Sequence, residues 1–176
     1  IMSVRKILKM GRELLLEKSA PITAFNTPEL HQLIADLWET MKDADGAGLA
    51  APQIGVLKQV VVFGYDKDYY PENVQEVPAT VLINPKLMPL TDEFDERWEG
   101  CLSIPGMRGL VPRYTKIRIE AFDVFGHKFS RDVKGFHARV AQHECDHLDG
   151  ILYPMQMPDL DYFGFNEAFD EDDDGK

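Results

Sequence analysis

The stretch Gln142-His143-Glu144-Cys145-Asp146-His147 constrains this chain more than any other. On an α-helix residues four apart share a face, so His143 and His147 can point at one ion while Glu144 stands beside it as a general base. Such a pair demands a helix whose histidine face is turned inward, plus a third protein ligand from elsewhere whose chemical type decides the enzyme. Helical character over about Gly135 to Leu148 supplies this: Phe136, Val140, His143 and His147 fall on one side, and Gly150 is placed as a stop. The two histidines extend an apolar face, so they are expected to look into the interior.

The best third ligand lies in Glu99-Gly100-Cys101-Leu102-Ser103, beside the turn-like Pro105-Gly106. A thiolate there completes a Cys/His/His set with a fourth position open, the pattern of a catalytic zinc-type site. Cys145 is a poor rival. It stands two residues from each histidine, about 200° around the helix, and faces away as a small apolar residue. His31, His127 and His137 have no paired spacing and read as surface or satisfied histidines. The run Gly46-Ala47-Gly48-Leu49-Ala50-Ala51-Pro52-Gln53 is not a nucleotide loop, because it follows a helix, lacks the third glycine and has no Lys-Ser/Thr ending. Its small residues allow close backbone approach, and Gln53 ends it with an amide donor able to polarise a carbonyl.

Around these segments the pattern predicts an α+β fold, with antiparallel strands packed around a central metal-binding helix. An amphipathic helix runs from Thr27, as N-cap before Pro28, to about Met41, ending near Asp45-Gly46. Val60-Val61-Val62-Phe63 and Val81-Leu82-Ile83 read as strands, separated by a polar loop through Tyr65-Pro78. Lys116 to Ala121 alternates with period two, and Phe125-Gly126-His127-Lys128 turns it back into a hairpin. Leu160–Phe169 reads as a short terminal helix. At 176 residues the chain suits one domain, expected over residues 1–169, followed by an acidic, disordered tail over 170–176.

Charge and composition narrow the partners. A net charge of -11 without any Lys/Arg cluster argues against direct nucleic-acid binding. No apolar run is long enough for a membrane span or a signal peptide, and two cysteines do not make a disulfide framework, so a cytoplasmic location and no membrane partner are expected.

Three separated segments, Gly46 to Gln53, Glu99 to Ser103 and Gln142 to His147, together make the chain resemble peptide deformylase of the bacterial type I form, over about Val4 to Phe165. The resemblance implies a metal-dependent hydrolase that removes the N-formyl group from the N-terminal formylmethionine of newly synthesised proteins. It implies a metal held by Cys101, His143 and His147, with water in the fourth place activated by Glu144. Iron(II) is the physiological ion so implied, with zinc, nickel or cobalt able to replace it. Gln53 and the backbone N–H of Leu102 match the family's oxyanion donors. The N-formylmethionyl nascent peptide is expected to lie extended against Ala47-Gly48 and Gly100, with Val140 in the methionine pocket and Arg97, Arg108 and Arg139 nearer its rim. The ribosome near the exit tunnel is a further expected partner. Arg113 and Asp146, with Glu99, are expected to form a buried pair supporting the imidazoles.

Two other readings compete. An internal peptidase of the same helix motif would usually take a downstream carboxylate or histidine as third ligand, and would cleave unformylated peptide. A catalytically silent binding module would have no need for Cys101, Glu144 and Gln53 together.

Overall fold

The structure, a computed structural model, describes residues 3–66 and 77–174. Most of the expected Tyr65–Pro78 loop lies outside the described residues.

Helix α1 spans Pro28–Asp43, with the Thr27 hydroxyl accepting from the Leu30 N–H at 3.1 Å and Pro28 in the first turn. It runs two residues past the expected Met41 and stops at Ala44, followed by Asp45 at φ 57°. The short strand β1 (Gly48–Ala50) leads into a 3-10 turn over Ala51–Ile54. Next come β2 (Val60–Phe63), β3 (Thr80–Pro89), β4 (Phe94–Cys101), β5 (Ile104–Tyr114), β6 (Lys116–Phe122) and β7 (Lys128–Lys134). Helix α2 occupies Gly135–Leu148, and β8 (Phe163–Phe165) and α3 (Asn166–Asp174) close the described chain.

Among the described residues these eight strands pair antiparallel. One sheet has the order β1-β2-β3-β6-β7 and the other β4-β5-β8. Side chains on a strand alternate between faces, and β2 is apolar on both. Val61 and Phe63 join Ala138, Val140, Ala141 and Leu148 of α2, while Val60 and Val62 join Leu30, Leu37 and Met41 of α1. The five-stranded sheet therefore lies between the two helices, and a continuous valine run is what a strand covered on both sides requires. The expected α+β fold, antiparallel strands around the motif-bearing helix, is what the structure has. Among the described residues no helix is long and apolar enough to cross a membrane.

Three expectations are corrected. Pro105 and Gly106 read as turn-like, yet they lie, with Pro112, within the eleven-residue strand β5; no ladder hydrogen bond is lost where a proline needs no donor. Leu160–Phe169 is not one helix: it is a 3-10 turn at Leu160–Tyr162, strand β8 and only then the start of α3. Pairing with β5, through Met107↔Phe165, Arg108↔Gly164 and Gly109↔Phe163, overrides the local helical spacing. Asp170, expected to open a disordered tail, lies inside α3 and accepts from Arg108.

Candidate metal centre and active site

Helix α2 begins as β7 ends, and its inward face carries His143, Glu144 and His147, all buried. Cys101 arrives at the end of β4, where the β4–β5 ladder breaks register between Glu99 and Cys101. This irregularity frees the end of the strand from regular pairing and turns the thiol toward α2.

The ligand atoms of Cys101, His143 and His147 all lie within 4.8 Å of one another, with Cys101 Sγ 3.5 Å from His147 Nε2. Bond lengths of about 2.3 Å to a thiolate and about 2.1 Å to an imidazole would set sulfur and nitrogen about 3.6 Å apart around a tetrahedral ion. The donor set and its spacing fit one divalent metal with a place left for a fourth ligand.

The neighbours of this triad fix its orientation. His143 Nδ1 meets Glu99 Oε1 at 2.7 Å, which leaves Nε2 facing the triad. Glu99 is gripped in turn by Arg113, whose Nε and Nη2 each donate at 2.9 Å, and by Arg139 Nη1 at 2.5 Å. Arg113 also donates to Asp146 Oδ2 at 2.6 Å. Arg113 thus meets both Glu99 and Asp146, but Asp146 is half-buried and not buried as expected, and Glu99, not Asp146, touches the imidazole. Burial pushes the Glu99 carboxyl up, and the hydrogen bonds from His143 and Arg113 outweigh it, holding the pKa at about 2. Burial works against a proton on His143, but Cys101 and Glu99 raise its pKa well above the usual range. Burial and the charge of His143 drive His147 well below it.

Glu144 stands 3.9 Å from His143 Nε2 through Oε1, and its Oε2 is buried with no hydrogen-bond partner. Burial raises its pKa to about 7, against the pull of His143. The backbone of β1 closes over it: a Cβ on Gly48 would stand 2.9 Å from the Glu144 carboxylate carbon. Only glycine allows that approach. Gln53 is held by its own turn, with Oε1 accepting from the Ala50 N–H at 2.9 Å, while Nε2 donates to Ser103 Oγ at 3.0 Å and lies 3.5 Å from Cys101 Sγ.

A cavity of about 490 Å³ opens onto the triad. Ala47, Gly48, Gly100, Leu102 and Val140 line it, as the sequence suggested. Arg97 and Arg108 do not. Arg97 is exposed and pairs with Asp95 at 2.8 Å, and Arg108 turns outward to Asp170. Arg139 reaches the cavity wall but is no rim residue: it is 4% exposed and also donates to the carbonyls of Val111 and Asp95. The cause is electrostatic, since buried Glu99 and half-buried Asp95 both draw the guanidinium inward. His137 is not satisfied either; its Nε2 is buried without a partner, against Phe63. Phe136, Trp98, Met107 and Asn166 line the cavity unforeseen. Phe136 shares the histidine face of α2 and was open to that inference, whereas nothing local marks Asn166.

The family comparison agrees with this geometry: residues 4–162 match the model of the polypeptide deformylase family. The chain belongs to the peptide deformylase family. It is 58% identical over 165 residues to peptide deformylase 2 of Ralstonia nicotianae, covering 93% of each chain, and 55% identical to peptide deformylase 1 of Nitrosomonas europaea, covering 94% of each. Among solved structures, the Met-Ala-Ser-bound class I type b peptide deformylase of Acinetobacter baumannii superposes with a TM-score of 0.82 at 32% identity, over 89% of this chain and 100% of that one. As a peptide deformylase the protein is a hydrolase that removes the N-formyl group from nascent peptides, and the family uses a single metal ion. Both the internal-peptidase and the silent-module readings fall away for this deformylase.

Proposed function

We propose that Cys101, His143 and His147 hold the metal ion of this deformylase, that Glu144 moves the proton, and that Gln53 and the Leu102 N–H receive the oxyanion. The observation that carries this reading is the buried, unpartnered Oε2 of Glu144 beside three converging ligand atoms. A buried carboxylate oxygen without a donor is costly in a structural role and useful in a catalytic one.

When bound, a divalent ion supplies an acidified water and polarises the formyl carbonyl. Glu144 accepts the proton of the attacking water, and the carbonyl oxygen gains negative charge as the C–O bond forms. The Gln53 carboxamide, pinned by the Ala50 N–H, directs its Nε2 donor to the Cys101 side of the cavity. Glu144 then returns the proton to the departing amine as the C–N bond breaks, releasing formate and the free amino terminus. Glu99 keeps His143 in one orientation throughout.

The substrate lies between two free sheet edges. Among the described residues β1 and β4 are the outer strands of their sheets, so Gly48 and Gly100 turn a free strand edge to the cavity, beside Ala47, whose carbonyl accepts from the Gly64 N–H at 2.9 Å. An extended peptide adding to such edges is read by direction more than by sequence. The methionine side chain packs against Val140 and Phe136.

A thiolate with two imidazoles accommodates iron(II), zinc, nickel or cobalt. Iron(II) is proposed as the working ion, in the cytoplasm, on chains leaving the ribosome near its exit tunnel. Anaerobic purification with elemental analysis and activity per metal tests the ion, and sedimentation with translating ribosomes tests the partner. The roles are tested by Glu144→Ala. Turnover of formyl-Met-Ala-Ser should fall by about 10²-fold or more with metal content unchanged. Full activity in that variant would refute the proton role of Glu144.

A further inference from the structure

The cavity wall extends past the family match. Asn166 lines it beside Trp98, Gly106 and Met107, and Asn166 belongs to the segment after residue 162, where that match stops. The segment is fastened at two levels. β8 adds to β5 as a third strand, and α3 then folds back so that the Phe169 ring packs on Trp98 of β4, centroids 5.0 Å apart. The Arg108 guanidinium sits 5.5 Å from the Trp98 ring centre and 5.0 Å from that of Phe169, and both its Nη atoms donate to Asp170 Oδ1, at 3.1 and 3.2 Å. A cation stacked on two rings and tied to a carboxylate restrains three elements at once. Gly164 makes room for the fold-back, since a Cβ there would already stand 3.3 Å from the Phe169 ring.

The latched part of the wall lies away from the triad. Trp98 is three residues before Cys101 on β4, about 10 Å along an extended strand. A peptide anchored by its formyl group at Cys101 and running along the β4 edge reaches Trp98 and Asn166 with the residues that follow methionine. The Asn166 carboxamide carries both a donor and an acceptor, matching the main chain of an extended peptide and not any particular side chain. Arg108, by contrast, is consumed in the latch and is no substrate ligand.

We infer that the segment after residue 162 forms a subsite for the peptide main chain downstream of formylmethionine, with Asn166 as the residue that reads peptide length and the Trp98, Arg108, Phe169 and Asp170 cluster as the latch that positions it. This rests on the deformylase reading. Wild-type protein, Asn166→Ala, Phe169→Ala and Phe169→Tyr are compared on formyl-methionine amide and on formyl-Met-Ala-Ser-Ala. In the wild type, kcat/KM rises with the longer substrate. Asn166→Ala raises KM for the tetrapeptide about 3- to 10-fold, the worth of one hydrogen bond, with kcat and the short substrate unchanged. Phe169→Ala shows the same length-selective loss, and Phe169→Tyr restores it. Equal loss on both substrates in Asn166→Ala, or no loss on either, overturns the subsite. Failure of the wild type on every formylated substrate would instead remove the reading beneath it.

Discussion

Strands β2 and β4 do opposite kinds of work. All four residues of β2 are buried and apolar, whereas β4 buries one of its eight residues, and that residue is Glu99. The contrast extends to their sheets. The five-stranded sheet is held by valine, isoleucine and leucine packed between α1 and α2, and its strength scales with area removed from water. The three-stranded sheet meets α2 through buried Glu99, Arg113 and Arg139 and half-buried Asp95, charged groups that contribute little net stability but fix directions. One side of α2 keeps the molecule folded and the other keeps His143 aimed.

That division can be broken by substitution. Glu99→Ala takes the shared carboxylate from two buried guanidiniums, leaving Arg113 with Asp146 and Arg139 with Asp95, so it should cost about 3 kcal/mol in stability, and in the folded fraction the metal should leave faster to a chelator. Denaturant unfolding and chelator kinetics measure both, and unchanged metal loss would deny Glu99 its aiming role. Leu82→Ala, on the five-stranded side, opens a cavity at a fully buried site and should cost about 2–5 kcal/mol with metal retention unaltered. Coupled loss of both properties there would erase the distinction between the two sides.

His137 is the exception that sharpens it, a polar ring on the apolar side. Burial, then the charge of Arg131, lowers its pKa to about 4. The unfolded chain takes up a proton near pH 6.5 that the folded one refuses, so stability should fall as pH drops from about 6.5 to about 4 and flatten below that. His137→Phe should remove this component, and an identical pH profile in the variant would show that the ring is not responsible. The smallest effect belongs to α1: Thr27→Ala removes one cap acceptor and should cost about 1 kcal/mol, read as a shift in the denaturation midpoint.

Much of the apolar side is legible in the sequence, because its signals are local. Thr27-Pro28, the valines of β2, the alternation of Lys116 to Ala121 and the span of α2 each carry their period within a dozen residues. The ionic side is not. β4 leaves most of its side chains exposed and so lacks a buried stripe, and β5 is punctuated by Pro105, Gly106 and Pro112. Arg139 reads as a residue for the rim because its partners, Glu99 and Asp95, lie more than 35 positions away in sequence.

By itself, the sequence determined the family, the two histidines on one helical face that are proposed as ligands, the thiol proposed to join them and the amide of Gln53, since each rests on residue type and short spacing. Tertiary structure alone decided which carboxylate touches His143, that Arg108 and Arg139 are occupied by ion pairs, and that Asn166 reaches the cavity. Those outcomes depend on charges and backbones from distant segments meeting in space, and no periodicity along the chain encodes such a meeting.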